Sequence, residues 1–304
     1  MKRLITVWMV IVLFGTGYAR AGTWTTLDLP GEIPHHSWIT GISGNNLVGY
    51  TLYADVSNFL YNGTNWTSLD IPDALGSANV MDISGNNIVG YCHAGSSREH
   101  GLFYNSSSWT TLDVPDAGSG GATIMNGISG SNIVGYYQDA SYNQHGFLYN
   151  TIGQTWTTLD VSGSNATAIF GIDSSNLVGE YQDGSGGHGF LYNTTTRIWT
   201  TIDKPGAIGS TRITGISGNN LVGINTSGYH GFLYNLPSNS WTELDAPGAY
   251  MTYIYGIDGD NVVGAYFSNN VEGIGCWHGF VYTIPEPATL LLLGLGAVML
   301  RRKR

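Results

Sequence analysis

The feature that most constrains this chain is a repeat. A unit read from Asn126 to Asp160, NGISGSNIVGYYQDASYNQHGFLYNTIGQTWTTLD, recurs with drift from one end to the other. Its first landmark is Trp-Thr-x-Leu/Ile-Asp, at Trp24–Asp28, Trp66–Asp70, Trp109–Asp113, Trp156–Asp160, Trp199–Asp203 and Trp241–Asp245. The tryptophans stand 42, 43, 47, 43 and 42 residues apart. A second landmark runs from Ile-Ser/Asp across a polar turn to Leu/Ile/Val-Val-Gly. It covers Ile42–Gly49, Ile83–Gly90, Ile128–Gly135, Ile172–Gly179, Ile216–Gly223 and Ile257–Gly264. The third is His-Gly-Phe-Leu-Tyr-Asn, near-complete at 100–105, 145–150, 188–193 and 230–235, partial at 58–62, and ending as HGFVYT at 278–283.

Each unit reads as four short strands. Gly and Asn tolerate positive φ, so Gly-Asn-Asn or Gly-Ser-Asn predicts a tight hairpin between the first two. A variable Gly/Ser/Asp-rich loop leads to His-Gly-Phe-Leu-Tyr, and a polar turn to the Trp-Thr-Thr-Leu-Asp strand, usually ended by Pro. Phe147–Tyr149 and Trp156–Leu159 carry bulk on both strand faces, which predicts burial on both. No helix is read between Gly22 and Thr283. Four strands in a unit of ~43 residues is the size of a propeller blade. The repeats open on a fourth strand, Trp24–Asp28, and close on a third, His278–Tyr282. Together these complete a sixth blade and remove exposed edges, an offset from which a linear β-solenoid would gain nothing. The expected fold is therefore all-β: a six-bladed propeller over residues 22–283, closed by strands from both ends.

The termini read as processing signals. Residues 1–21 combine Lys2 and Arg3, an apolar run from Leu4 to Phe14 broken only by Thr6, and the small-x-small pair Ala19 and Ala21 expected at a signal-peptidase site. After Tyr282 the repeat stops. Pro285-Glu286-Pro287 precedes an apolar stretch, Ala288–Leu300, and then Arg301, Arg302, Lys303 and Arg304. Thirteen residues fall short of the ~20 of an ordinary membrane span, and the cations favour the cytoplasmic side. That predicts a marginal membrane helix over 284–304, held until something cuts it.

Pro-Glu-Pro, a short apolar segment and a basic cluster closely resemble the PEP-CTERM sorting signal of Gram-negative bacteria. The resemblance implies cleavage near Pro285–Pro287 by the membrane protease exosortase and transfer to the cell surface, often in bacteria that make exopolysaccharide and biofilm. The same tail is also named an ice-binding protein C-terminal domain, which implies nothing secure about the body. The body resembles extracellular repeats named for a His-Ala-Phe triplet, written here as His-Gly-Phe. That likeness implies no transferable activity.

Charge narrows the partners. Without the terminal segments, four basic residues face twenty acidic ones. Such a body repels phosphate backbones, which excludes nucleic acid. The histidines His100, His145, His188, His230 and His278 recur at one position, whereas a catalytic histidine belongs to one asymmetric pocket. They read as structural, with Asp113, Asp160, Asp203 and the other repeat aspartates as partners through backbone N–H groups or the same unit's histidine. Propellers of the WD-repeat type use a comparable network. Trp109, Trp156, Trp199 and their equivalents read as core between blades rather than sugar platforms. Tyr137, Tyr142, Tyr181, Tyr229, Tyr250 and Tyr253, placed in or beside loops, are the better candidates for ligand contact.

Asp183-Gly-Ser-Gly-Gly and Asp258-Gly-Asp-Asn offer oxygen ligands, but neither completes a calcium loop. No metal or cofactor is expected. Cys92 and Cys276 could form one disulfide, and neither has metal-ligand spacing. Nucleophile elbows, zinc motifs and phosphate loops are absent. The expected function is a non-catalytic binding or structural module of the envelope or biofilm matrix, contacting polysaccharide or another surface protein through one rim. The alternative is a carbohydrate hydrolase or lyase at the channel mouth, and the third is ice binding.

Overall fold

A computed structural model of the chain describes residues 22–30, 36–52, 58–72, 75–95, 98–207, 209–269, 273 and 275–285. The signal segment with Ala19 and Ala21, and the tail from Glu286 and Pro287 onward, lie outside the described residues. Among the described residues no helix is long and apolar enough to cross a membrane. Residues 24–283 form one compact unit.

That unit is six four-stranded antiparallel sheets, each joined in sequence order except one. Blade 1 is β2 (His36–Ser43), β3 (Asn46–Leu52), β4 (Asn58–Tyr61) and β5 (Trp66–Ser68). Blade 2 is β6 (Ala78–Ser84), β7 (Asn87–Cys92), β8 (His100–Asn105) and β9 (Trp109–Leu112). Blade 3 is β10 (Thr123–Ser129), β11 (Asn132–Gln138), β12 (Gln144–Asn150) and β13 (Thr155–Leu159). Blade 4 is β14 (Ala166–Asp173), β15 (Asn176–Asp183), β16 (Gly186–Asn193) and β17 (Ile198–Thr201). Blade 5 is β18 (Thr211–Ser217), β19 (Asn220–Asn225), β20 (His230–Asn235) and β21 (Ser240–Glu243). Blade 6 takes β22 (Met251–Asp258), β23 (Asn261–Asn269) and β24 (Gly275–Thr283), with β1 (Thr23–Thr26) as its fourth strand. The ring is thus closed by both ends of the repeat array.

The first strand of every blade is innermost, since these six strands contact one another all the way round. The sequence landmarks have identifiable causes. The first hairpin turns through Gly44, Gly85, Gly130, Gly218 and Gly259 at φ 55–60°, with Ser174 at 56° in blade 4. Each inner strand then carries one bulge, between Met125 and Gly127 in blade 3 and at the matching place in the other five. In blade 3 the Ile124 carbonyl oxygen lies 1.9 Å from where a Cβ on Gly135 would sit, and the Phe147 ring 2.9 Å away. Any side chain there would displace the strand, which explains the Val-Gly of the repeat. Phe59, Phe147, Phe190, Phe232 and Phe280 fill the blades, with Leu102 in blade 2.

Blades are also tied at one end of the inner strands. Ser43, Ser84 and Ser217 accept hydrogen bonds through Oγ from the backbone N–H of Gly85, Gly130 and Gly259 in the next blade. Asp173 and Asp258 do the same for Gly218 and Gly44, at 2.7 and 2.6 Å. The outer strands depart from the sequence expectation. Thr157 and Thr158 of β13 are exposed, because the fourth strand has no sheet neighbour beyond it and only its tryptophan side is covered.

Ser174 is the one non-glycine at its turn position, in a region that costs an L-residue about 1–2 kcal/mol. Ser174→Gly is expected to stabilise the protein by about 1 kcal/mol in urea unfolding, with no change in the m-value.

Candidate functional site

The repeat histidines and aspartates meet in every blade that has both. Nδ1 lies 2.7–2.8 Å from the carboxylate in His100–Asp113, His145–Asp160, His188–Asp203, His230–Asp245 and His278–Asp28. In four of these the other carboxylate oxygen accepts the backbone N–H after the histidine, as Gly146 N–H does to Asp160 at 3.1 Å. A buried Thr on the following inner strand accepts the N–H just past the aspartate, as Thr123 does for Val114. The carboxylate is therefore spent on linking the third and fourth strands. The Asp203 hydrogen bond holds the His188 imidazole above its usual range, with burial opposing. For His145 burial lowers the value, but Asp160 and Asp139 together outweigh it.

The tryptophans pack on ring neighbours of their own third strand. Trp156 lies 4.2 Å from Tyr149 and 5.1 Å from Phe147, and Trp199 4.2 Å from Tyr192. Trp109 lies 4.9 Å from Tyr104 and joins the cluster between blades 1 and 2. A cleft of about 530 Å³ at that seam is lined by Leu60, Ile83, Ile88, Tyr104 and Trp109. These five hold repeat positions that are apolar in every blade, and Asn46, Ser68, Asp70, Asn86, Ser106 and Ser107 share the lining of this inter-blade seam.

Of the tyrosines expected at a ligand, Tyr137 is sealed off and Tyr181 is only half-exposed. Tyr137 is 4% exposed inside the blade 3 cluster, its hydroxyl 3.1 Å from Thr158 Oγ1. The Tyr181 hydroxyl is likewise held 3.0 Å from Thr201 Oγ1. Both lie on second strands, not in loops, and strand alternation turns them into the blade. Tyr142 and Tyr250 are well exposed, and Tyr229 stacks on Tyr253 at 4.6 Å. Cys92 and Cys276 are both buried and no disulfide joins them; Cys276 Sγ lies 3.0 Å from His278 Nε2. Asp183 accepts from Ser185 and Asp258 from Gly44, so the suspected calcium oxygens serve turns. Among the described residues no group of three or more His, Cys, Asp or Glu could hold a metal.

The concave site is the central channel. It narrows from a mouth of about 320 Å³, through a neck of about 40 Å³, and opens to about 140 Å³ at the serine and aspartate belt. The wide mouth takes its walls from three repeat positions. The inner-strand position is Trp38, Asn79, Ile124, Ala168, Arg212 and Tyr253 round the ring, and Ile124, Arg212 and Tyr253 line the mouth. At the bulge all six residues line it: Thr40, Met81, Asn126, Phe170, Thr214 and Tyr255. After the Val-Gly of the second strand the position is Tyr50, Tyr91, Tyr136, Glu180, Ile224 and Ala265, and Tyr91, Tyr136 and Ile224 line it. Two residues before this last position, the side chain is Val in all six blades. The repeat is constant where blades pack and varies where the channel opens.

Arg212 Nε donates to Glu180 Oε2 at 2.6 Å, and its guanidinium lies 5.1 Å from the Phe170 ring centre. Burial pushes the Tyr50 phenol up to about 12 and raises that of Tyr255 well above its usual range. The neck holds one departure from six-fold pattern. Gly41, Gly127, Gly171, Gly215 and Gly256 crowd the next inner strand, whereas blade 2 has Asp82. Asp82 Oδ2 accepts the Ile128 N–H at 2.9 Å. Asp82 is half-buried at the edge of the channel, and partial loss of water raises its pKa to about 7 despite that bond. Sequence reading passed over it, although its signal was there: one Asp in a column of glycines.

Comparison with known protein families decides the tail. Residues 283–304 carry a PEP-CTERM protein-sorting motif. The motif implies export, sorting to the surface through the C-terminal tail and processing by an exosortase membrane protease. No curated protein matches the chain. Among solved structures the chain is similar to a streptogramin B lyase, at 14% identity over 84% of this chain and 87% of that one, TM-score 0.48. It is also similar to the Aleuria aurantia lectin bound to Fucα1-6GlcNAc (15%, 83% and 97%, TM-score 0.49). A third is TolB from Acinetobacter baumannii (9%, 83% and 64%, TM-score 0.47).

A raised carboxyl stays protonated in the folded ring from pH ~4 to ~7, while the unfolded chain ionises at its ordinary value. Asp82 therefore erodes stability as pH rises through that window, and the loss levels off above 7. Asp82→Asn is expected to match wild type near pH 4 and to exceed it increasingly up to pH 7, in paired urea titrations.

Proposed function

We propose that this protein is a non-catalytic binding module of the cell envelope or exopolysaccharide matrix, holding a polysaccharide or another surface protein at the wide channel mouth. The observation that carries this is where the repeat varies. Six near-copies keep Val, Phe, Trp, His and Asp for packing, and place dissimilar residues around one 320 Å³ concavity. A concave site with aromatic walls and a few placed polar groups is the usual form of a ligand pocket. A sorting tail delivers such a module to the outside, where glycans and envelope proteins are the available partners.

A hydrolase or lyase at this mouth is the second reading, favoured by Asp82, a carboxyl tuned near neutrality. Position argues against it. The neck has room for about one or two waters, so a sugar ring seated in the mouth does not reach Asp82.

Two measurements test the proposal. In a glycan-array and exopolysaccharide screen, retention without new reducing ends is expected; new reducing ends abolished by a single carboxylate-to-amide change would establish the enzyme instead. For sorting, replacing Pro285-Glu286-Pro287 with alanines is expected to leave uncleaved protein in the membrane fraction. Unchanged processing and display would refute that step.

A further inference from the structure

The wide mouth is not equally aromatic around its circumference. The residue before the repeat histidine leans over the next blade. It is Tyr229 in blade 5 and Trp277 in blade 6, but Glu99, Gln144 and Gly187 in blades 2, 3 and 4. The inner-strand position it meets is Tyr253 in blade 6 and Trp38 in blade 1, but Asn79, Ile124, Ala168 and Arg212 elsewhere. These rings form a continuous arc. Tyr229 lies 4.6 Å from Tyr253, Tyr253 5.4 Å from Trp277, Trp277 5.9 Å from Trp38, and Trp38 5.2 Å from Tyr50.

From the part of this arc that keeps exposure, Tyr229, Tyr253 and Trp277, with Trp38 buried behind them, we infer that the ligand is a neutral glycan chain, its sugar rings laid along blades 5 and 6 beside the channel mouth. The inference rests on the binding-module reading and gives it a substrate class. Aromatic faces match the C–H faces of sugar rings, and tyrosine hydroxyls add hydrogen bonds at the edges. Rings that already support one another lose little conformational freedom when a ligand covers them. The charges nearby exclude a polyanion. Arg212 is spent on Glu180, Glu99 lines the opposite wall, and the repeat body carries twenty acidic residues against four basic. A repeated stack also suits a polymer better than a small molecule, because several rings in a row are used only by a ligand with several rings.

Affinity electrophoresis of the full chain tests this, in gels cast with laminarin, hydroxyethyl cellulose or dextran, and with alginate as the polyanion. Retardation by at least one neutral glycan and none by alginate is expected. Tyr229→Ala and Trp277→Ala should each weaken it about tenfold or more, while Ile152→Ala, an exposed residue outside the mouth, leaves it unchanged. Trp277→Phe, which keeps a ring in place, should restore most of the binding and guards against a folding defect in the alanine variant. Preference for alginate, or neutral-glycan binding indifferent to both alanine variants, would overturn the inference. Capture of an envelope protein with no glycan retardation would overturn it too, yet leave the binding module standing. Binding of neither class would sink both.

Discussion

The pairing of β1 with β24 is the interaction on which the rest of the ring depends. A propeller stacked from only five closed blades would leave an inner-strand face open at each end of the array. Here four residues from the start of the repeats lie down beside the last complete strand. Leu27 N–H donates to the Gly279 carbonyl at 2.8 Å, Asp28 takes both His278 and the Gly279 N–H, and Trp24 covers Phe280 and Tyr282. Blades 3, 4 and 5 make the same bonds within one continuous segment. Closure therefore needs no special chemistry, only the repeat cut between its third and fourth strands. With the circle complete, each of the six inner strands has a neighbour on both sides.

The bulge in each inner strand then links fold to site. An extra residue in one strand breaks the ladder and turns one side chain out of the alternation. Repeated six times around an axis, this delivers Thr40, Met81, Asn126, Phe170, Thr214 and Tyr255 to the channel. Two of them also brace the ring: Thr40 Oγ1 donates to the Val80 carbonyl and Asn126 Nδ2 to that of Ile169, both at 2.9 Å and both in the next blade. The core tolerates little variation, since Phe147 and Gly135 fit only each other. Most channel-wall positions carry no such fixed fit, Thr40 and Asn126 being held by their bonds to the next blade. Diversity accumulates there because packing does not forbid it, and that is where selection for a ligand can act.

Much of this was legible in the linear order. The period, the four-strand unit, the hairpin turns and the split blade follow from landmarks that alternate at strand period and recur at blade spacing. The pairing of repeat histidine with repeat aspartate was among the expected alternatives, because both occur in the same units. The tyrosines were harder. Tyr137 and Tyr142 are five residues apart in one unit, yet one is sealed inside a blade and the other stands on a turn, a difference set by which strand face each occupies. Tyr229 and Tyr253 were singled out, but not their neighbours Trp277, Trp38 and Tyr50, which come from three different repeat positions and meet only across two blade boundaries.

What the sequence by itself determined is the ring: six units of similar length, with Gly, Trp and Asp at fixed places in all and Phe and His in five, have one economical way to bury their faces and leave no edge. The sorting tail was likewise complete in its local order of Pro-Glu-Pro, apolar run and cations. What only the tertiary structure decided is the site. The channel is built from up to three residues per blade, ~43 positions from their counterparts in the next, and no local pattern says which of the varied residues face one another. Asp82 illustrates the reason. In the chain it is one aspartate among many; in the ring, neighbouring backbones crowd it, take away part of its water, and make its charge depend on pH near neutrality.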